Sequence, residues 1–247
     1  MYRFLLTPRW LGAALVFVLA ATIMVGLGRW QLHRFEDRSA INDRIDAGAR
    51  AVPVALADPP QPEWTRVTVT GRYDPTNEIL ARGRTVGGSV GFEVVTPLVL
   101  ADGSAVLVDR GWVPAPATGG ASARPDVPAA PAGEVTVTGR VHAPESRAGA
   151  PTPDGTVPAE VRRISPARIA PALPYRLAPV YVTVDDPAEG FVAVKPDHQN
   201  AALNAGYMVQ WWIFAALTLV GFGYLARREA RARTTDAEPV DTGAPTA

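Results

Sequence analysis

Trp30, His33, Arg34 and Asp37 are spaced i, i+3, i+4 and i+7, which sets one ring, one imidazole, one guanidinium and one carboxylate along a single helical stripe. Tyr207, Gln210, Trp211 and Phe214 repeat that spacing near the other end of the chain. Both stripes adjoin long apolar runs. Packed side by side, two such helices would furnish one pocket of aromatic rings, two amides, an imidazole and guanidinium groups, Arg29 among them. The competing reading is an aromatic belt plus a plain helix contact, since interfacial tryptophan needs no ligand to explain it. Gln210 is harder to dismiss, because an amide beside an apolar span normally seeks a partner.

Chemistry of other kinds lacks its residues. The three histidines, His33, His142 and His198, are scattered, with no HExxH, no Gly-x-Ser-x-Gly elbow and no Walker loop. Adjacent acids such as Glu36-Asp37 and Asp185-Asp186 are read as solvated, so no enzyme is expected. There are 0 cysteines, which removes thiol catalysis, c-type haem attachment, thiolate copper sites and disulfides. The formal net charge is +0, giving no electrostatic footprint for nucleic acid.

The stripes must be positioned by the apolar runs. No charge interrupts Trp10 to Gly28, and at about 1.5 Å per residue this run reaches roughly 28 Å, close to the hydrocarbon thickness of a bilayer. A second uncharged run extends from Gly206 to Ala226, with Trp211, Trp212 and Tyr224 near its ends. Arg3 and Arg9 precede the first; Arg227, Arg228, Arg231 and Arg233 follow the second. The positive-inside rule therefore places both termini in the cytoplasm of a multi-pass protein and the middle outside. Cleavage after "VLA" at Ala20, as a signal peptide, is the alternative for the first run. The resulting division is a cytoplasmic N-terminus (1–9), a transmembrane helix (10–28), an extracytoplasmic domain (29–205), a second transmembrane helix (206–226) and a disordered cytoplasmic tail (227–247).

The domain between reads as mainly β. "WTRVTVTGRYD" (64–74) and "GEVTVTGRV" (133–141) alternate with the period of a half-buried strand, and Gly71 and Gly139 predict a bulge or bend in each. "VGFEVVTPLVLADGSAVLVDRGWVP" (90–114) reads as a hairpin turning at Asp102-Gly103. Asp109 and Arg110 leave that hairpin as a local ion pair or a partner-facing surface. "PVYVTVD" (179–185) and "FVAVKP" (191–196) suggest another strand pair, and "SPARIAPAL" (165–173) a short helix capped by Ser165. Residues 114–133 and 143–158, rich in Pro, Gly and Ala, read as long surface loops. The fold class is a membrane protein: two transmembrane α-helices flanking a mainly-β (α+β) extracytoplasmic domain.

"LGRWQLHR" at the exit of the first run, "VTVTGRYD", the hairpin sequence above and "YMVQWW" entering the second run, in this order, resemble the surfeit locus protein one family, membrane assembly factors of haem-copper cytochrome c oxidase. The resemblance covers the whole architecture. It implies a plasma-membrane factor that assists haem a insertion into, or stabilisation of, the oxidase catalytic subunit, alongside the haem a synthesis and insertion machinery. The alternative is a membrane-tethered scaffold of the respiratory chain that binds no cofactor. Family members often carry an Asn-His pair before the tyrosine of the second span, with that histidine the favoured haem ligand; here Asn204 holds its position. An amide does not replace imidazole as an axial ligand. The remaining candidates are His33, as a haem iron ligand with Trp30, Tyr207, Gln210 and Trp211 around it and Arg29 or Arg34 on the propionates, or His198.

Overall fold

The computed structural model describes residues 3–120, 123–145 and 160–235. Most of the expected loop at 143–158, and the tail from residue 236 onward, lie outside them. The chain forms two compact units, residues 1–42 with 198–247, and residues 43–197.

The first unit is a pair of helices. Helix α1 spans Pro8–Arg50 and α3 spans Ala201–Thr235, and each is long and apolar enough to cross a membrane. Both outrun their apolar cores: α1 continues well beyond Gly28, its last turns belonging to the second unit, and residues 227–235, expected as a disordered tail, extend α3. Ala226 and Ala230 are buried there and Arg233 pairs with Glu229 at 2.9 Å, so this segment packs as helix. The two helices run antiparallel. Phe222 meets Trp10 and Phe17 with ring centroids 5.9 and 5.3 Å apart, Thr218 reaches the Met24 sulfur at 3.6 Å, and the Trp212 indole lies on the Gly28 backbone where any side chain would clash. At the far end Asn42 donates to the Gln199 carbonyl at 2.9 Å and accepts from its N–H at 2.7 Å. Asn200 caps α3 through the Leu203 amide at 3.2 Å.

The second unit is one sheet of eight strands: β1 Val54–Ala55, β2 Arg66–Tyr73, β3 Ile79–Val86, β4 Ser89–Val99, β5 Ala105–Pro114, β6 Glu134–His142, β7 Glu160–Val161 and β8 Leu177–Val184. Their order is β1-β2-β6-β8-β5-β4-β3-β7, and an additional β2–β4 pairing closes β2, β6, β8, β5 and β4 into a five-stranded ring. Within the ring β5 and β8 are parallel and the other pairs antiparallel, the connectivity of an OB-type Greek-key barrel. Every ring strand sends valine or leucine inward: Val67 and Val69, Leu98, Val106 and Val108, Val137 and Val141, and Val182 form the barrel core. A second apolar layer outside the ring, Ile79, Val95, Leu107 and Tyr181, is covered by Ile164 and Ile169 around the short helix α2 (Pro166–Ile169).

Several expectations are met in detail. The hairpin turns at Asp102-Gly103, where Gly103 has φ 79° and the Asp102 carboxylate accepts from the Ser104 N–H at 2.9 Å. In the loop after β5, the described residues 123–133 form no strand or helix, and Ala115 and Val127 pack on Leu80, Phe92, Val94 and Val113. Other expectations are corrected. Phe191–Pro196 forms no strand pair with β8; Val192 instead bridges Trp112 of β5. Ser165 makes no side-chain capping bond to α2. No bulge interrupts β2 or β6 at Gly71 and Gly139, because their mutual register is continuous from Arg66↔Arg140 to Arg72↔Glu134.

The two glycines serve the ring itself. A Cβ on Gly71 would strike the Val99 carbonyl of β4, and one on Gly139 the Thr183 carbonyl of β8. Backbone therefore approaches backbone where β2 closes onto β4 and where β6 meets β8. Replacing either glycine by valine forces those strands apart, with an expected loss of about 1–3 kcal/mol or more. Urea denaturation of the full chain in detergent, followed by tryptophan fluorescence, measures it.

Candidate functional site

The helix pair holds all the residues singled out for ligand binding, and the contacts between the helices decide where each one points. The seam is built from Ala21, Met24, Gly28 and Gln31 on α1 and from Asn204, Trp211, Ala215 and Thr218 on α3. Arg29, Trp30, His33 and Arg34 all lie on the exposed side of α1, with Trp30 56 % exposed. His33 sets Nδ1 3.4 Å from the Glu36 carboxylate one turn on, both side chains mostly in the open. On α3, Tyr207 and Gln210 are exposed, while Trp211 is half-buried and meets Phe214 edge-on. Asn204 is buried and donates to the Asn200 carbonyl at 3.3 Å.

The helices thus stand side by side, as the pocket required, but the α1 stripe is turned away from the seam. Sequence spacing correctly places Trp30, His33 and Arg34 together, and cannot say which way their face turns. With the Trp212 indole seated on Gly28, the seam is filled at the level where a porphyrin would have to enter. These residues do not fit a haem enclosed between the two helices. His198 is exposed just ahead of α3. His142 is half-buried in the other unit, stacked on Tyr181 at 5.0 Å and edge-on to Trp64 at 4.7 Å. Desolvation, helped by the nearby Arg140, lowers its pKa to about 4 and keeps the imidazole neutral.

The densest polar chemistry is in the barrel unit. Asp109 and Arg110 form neither of the expected arrangements, a local ion pair or a partner-facing surface: neighbours on a strand point to opposite faces, and both side chains are buried. Arg110 follows Val106 and Val108 to the barrel interior. Its fork donates to Glu78 at 3.0 Å and to the Pro128 and Ala129 carbonyls at 2.8 Å each, between the rings of Phe191 and Tyr73. One side chain thereby pins the Pro-rich loop to the barrel mouth. Asp109 follows Leu107 outward and accepts from the Gly111 N–H and the Thr183 hydroxyl, each at 3.1 Å.

Around Asp109 lies a second cluster. Arg84 of β3 sets Nε 3.0 Å from Glu93 and donates through Nη2 to both oxygens of Glu145 at 2.7 Å. Glu145 also accepts from the Ile164 N–H at 2.8 Å, so it ties the segment after β6 to the start of the α2 layer. Three carboxylates share this region with one directly paired guanidinium. Burial, then repulsion from Asp109, raises Glu93 to about 8 against the pull of Arg84, and burial raises Asp109 to about 6. None of Arg84, Glu93, Glu145 or Glu78 was singled out in the sequence. The one legible signal was Glu93, a charge standing inside the apolar run "GFEVV".

Glu93 holds its proton more tightly in the folded chain than in the unfolded one. Its contribution to stability is complete below the ordinary value of 4.5 and is lost as pH rises through about 8. Glu93→Gln is permanently neutral. The melting midpoint of the native chain is expected to fall relative to that of the variant between pH 5 and 8, as read by thermal melts of both in detergent at several pH values.

Comparison with known proteins places these features in a family. Residues 18–216 match the SURF1 family. An uncharacterised SURF1-like protein of Mycobacterium bovis is 35% identical over 244 residues, covering 93% of this chain and 88% of that one. A SURF1-like protein of Mycobacterium tuberculosis shows the same identity and coverage. A SURF1-like protein of Monosiga brevicollis is 35% identical over 120 residues, 42% of this chain and 46% of its own length. The match takes in most of α1, every strand of the barrel and the first turns of α3, so the chain belongs to the SURF1 family.

Proposed function

We propose that this protein is a membrane-anchored, non-enzymatic assembly factor of haem-copper cytochrome c oxidase, acting on the catalytic subunit as haem a is inserted or the subunit is stabilised. The observation that carries this reading is the family match running from the first apolar helix through the barrel into the second. In this reading α1 and α3 cross the plasma membrane, both termini are cytoplasmic and the barrel is extracytoplasmic. The helix pair supports that orientation. Arg233 lies over the Phe4 ring at 5.0 Å, so the basic residues around both chain ends gather at one end of the hairpin, as the positive-inside rule requires.

Holding a partner subunit fits the surfaces better than enclosing a cofactor. Trp30, His33 and Arg34 form an open face beside a long apolar helix, available to another membrane protein. The scaffold reading, in which no cofactor is touched, draws on the filled seam at Gly28.

Deleting the gene is expected to diminish the haem a band in reduced-minus-oxidised spectra of the membranes; an undiminished band counts against an assembly role. Haem a titrated into the purified protein then separates the two readings. A Soret shift that His33→Ala weakens supports direct haem handling through that face, whereas no shift in the native protein leaves the scaffold.

A further inference from the structure

The barrel is not sealed all the way round. Strand β8 pairs with β6 only from Gly139 to His142 and ends at Val184, so the first half of β6 has no strand on that side. Hydrogen bonds give the direction of its main-chain groups. Asp185 N–H donates to the Thr138 carbonyl at 3.0 Å, while Val141 N–H donates toward β2, to the Thr65 carbonyl at 3.0 Å. Even-numbered residues of β6 therefore turn N–H and C=O away from β2. Among the described residues the Thr136 N–H and C=O have no main-chain partner.

Beside this open edge is a cavity of about 270 Å³ walled by Tyr73, Arg110, Thr136, Val184, Pro187 and Phe191. Its interior carries no net charge, since the Arg110 fork is spent on Glu78 and two carbonyls. Its rim is acidic. Asp186 lines the cavity and is exposed, and Glu189 is exposed three residues on; Glu134 is balanced by Arg72 directly across the β2–β6 pair. An unpaired N–H and C=O on a strand edge are matched by extended backbone, an aromatic and aliphatic wall by an apolar side chain, and an acidic rim by a cation.

The geometry points to this groove as a strand-addition site for a short extended peptide, one aliphatic or aromatic side chain against Tyr73 and Phe191 and a neighbouring lysine or arginine at Asp186. The peptide continues the β8 position along β6, exchanging bonds with Thr136. The cavity volume limits the inserted segment to two or three residues, so affinity is modest and sequence preference is set by the side chain that enters. This site does not rest on the oxidase reading.

The test uses the full chain in detergent micelles and a labelled peptide, acetyl-Lys-Val-Phe-Val-Lys-amide, followed by fluorescence polarisation. Saturable binding is expected. N-methylation at the phenylalanine or at a flanking valine should weaken it about tenfold or more at one of the two positions and leave the other nearly unaffected, because alternate amides face β6. Replacing both lysines by glutamate should weaken it similarly. Ala188→Trp, which fills the groove from an exposed loop, should abolish binding without moving the melting midpoint. The Thr136 amide, fast in hydrogen exchange in the free protein, should become protected when the peptide is present. The proposal is overturned by absence of saturable binding, by equal binding of both N-methylated peptides and their parent, or by full binding to Ala188→Trp. Peptide capture is read without oxidase, so failure here leaves the assembly reading untouched.

Discussion

Closure of the five-stranded ring is the constraint on which the barrel unit depends. β2 belongs to the ring on both edges: from Arg66 to Arg72 it pairs with β6, and at its C-terminal end it reaches β4 through Arg72↔Val99 and Tyr73↔Leu98. Those last pairs require backbone to lie against backbone, and only a residue without a side chain permits that at Gly71. Once the ring is shut, eight aliphatic side chains from five strands share one dry interior, and their burial is the main stabilising term. The short β1 covers the part of the β2 edge that β4 does not reach, pairing Val54 with Val67. A closed ring also abolishes most of the exposed edge that invites misassembly, leaving an opening only where β8 stops short.

Charge is distributed according to the two sides of that wall. Inside the mouth, Arg110 has a carboxylate and two carbonyls at its fork and two rings at its faces, so a buried cation is satisfied at nearly every donor it directs inward. Such an arrangement contributes specificity more than net stability, because desolvation offsets much of the attraction. It selects one position for the stretch around Pro128 and Ala129, which lies in no strand or helix. On the outer layer the balance differs: Glu93, Asp109 and Glu145 outnumber the cation directly between them, Arg84. A low-dielectric site with excess carboxylate relieves itself by retaining protons, which is the physical origin of the raised values of Glu93 and Asp109.

The helix pair obeys another rule. Close approach of two apolar helices is favoured by small residues, and Gly28, Ala21 and Ala215 line the seam accordingly. Gln31, Asn204, Trp211 and Trp212 also enter this contact, whereas Trp30, His33 and Arg34 lie on the exposed side of α1. The α1 stripe with the richest chemistry faces away from the contact between the helices.

Local periodicity was enough to identify the two apolar helices, the paired "VTVTGR" strands and the Asp102-Gly103 turn. Each depends on neighbours within a few residues, through helical pitch, strand alternation or the allowed angles of glycine. The order "LGRWQLHR" to "YMVQWW" is likewise legible in the sequence as a family resemblance. What only the tertiary structure decided was the orientation of the α1 stripe, the closure of β2 onto β4, the partners of Arg84 and Arg110 and the place of Val192 against Trp112. All of these join residues far apart in the chain. A stripe's spacing is the same whichever way the helix is rotated, and a buried charge finds its counter-ion only after the whole wall has been assembled.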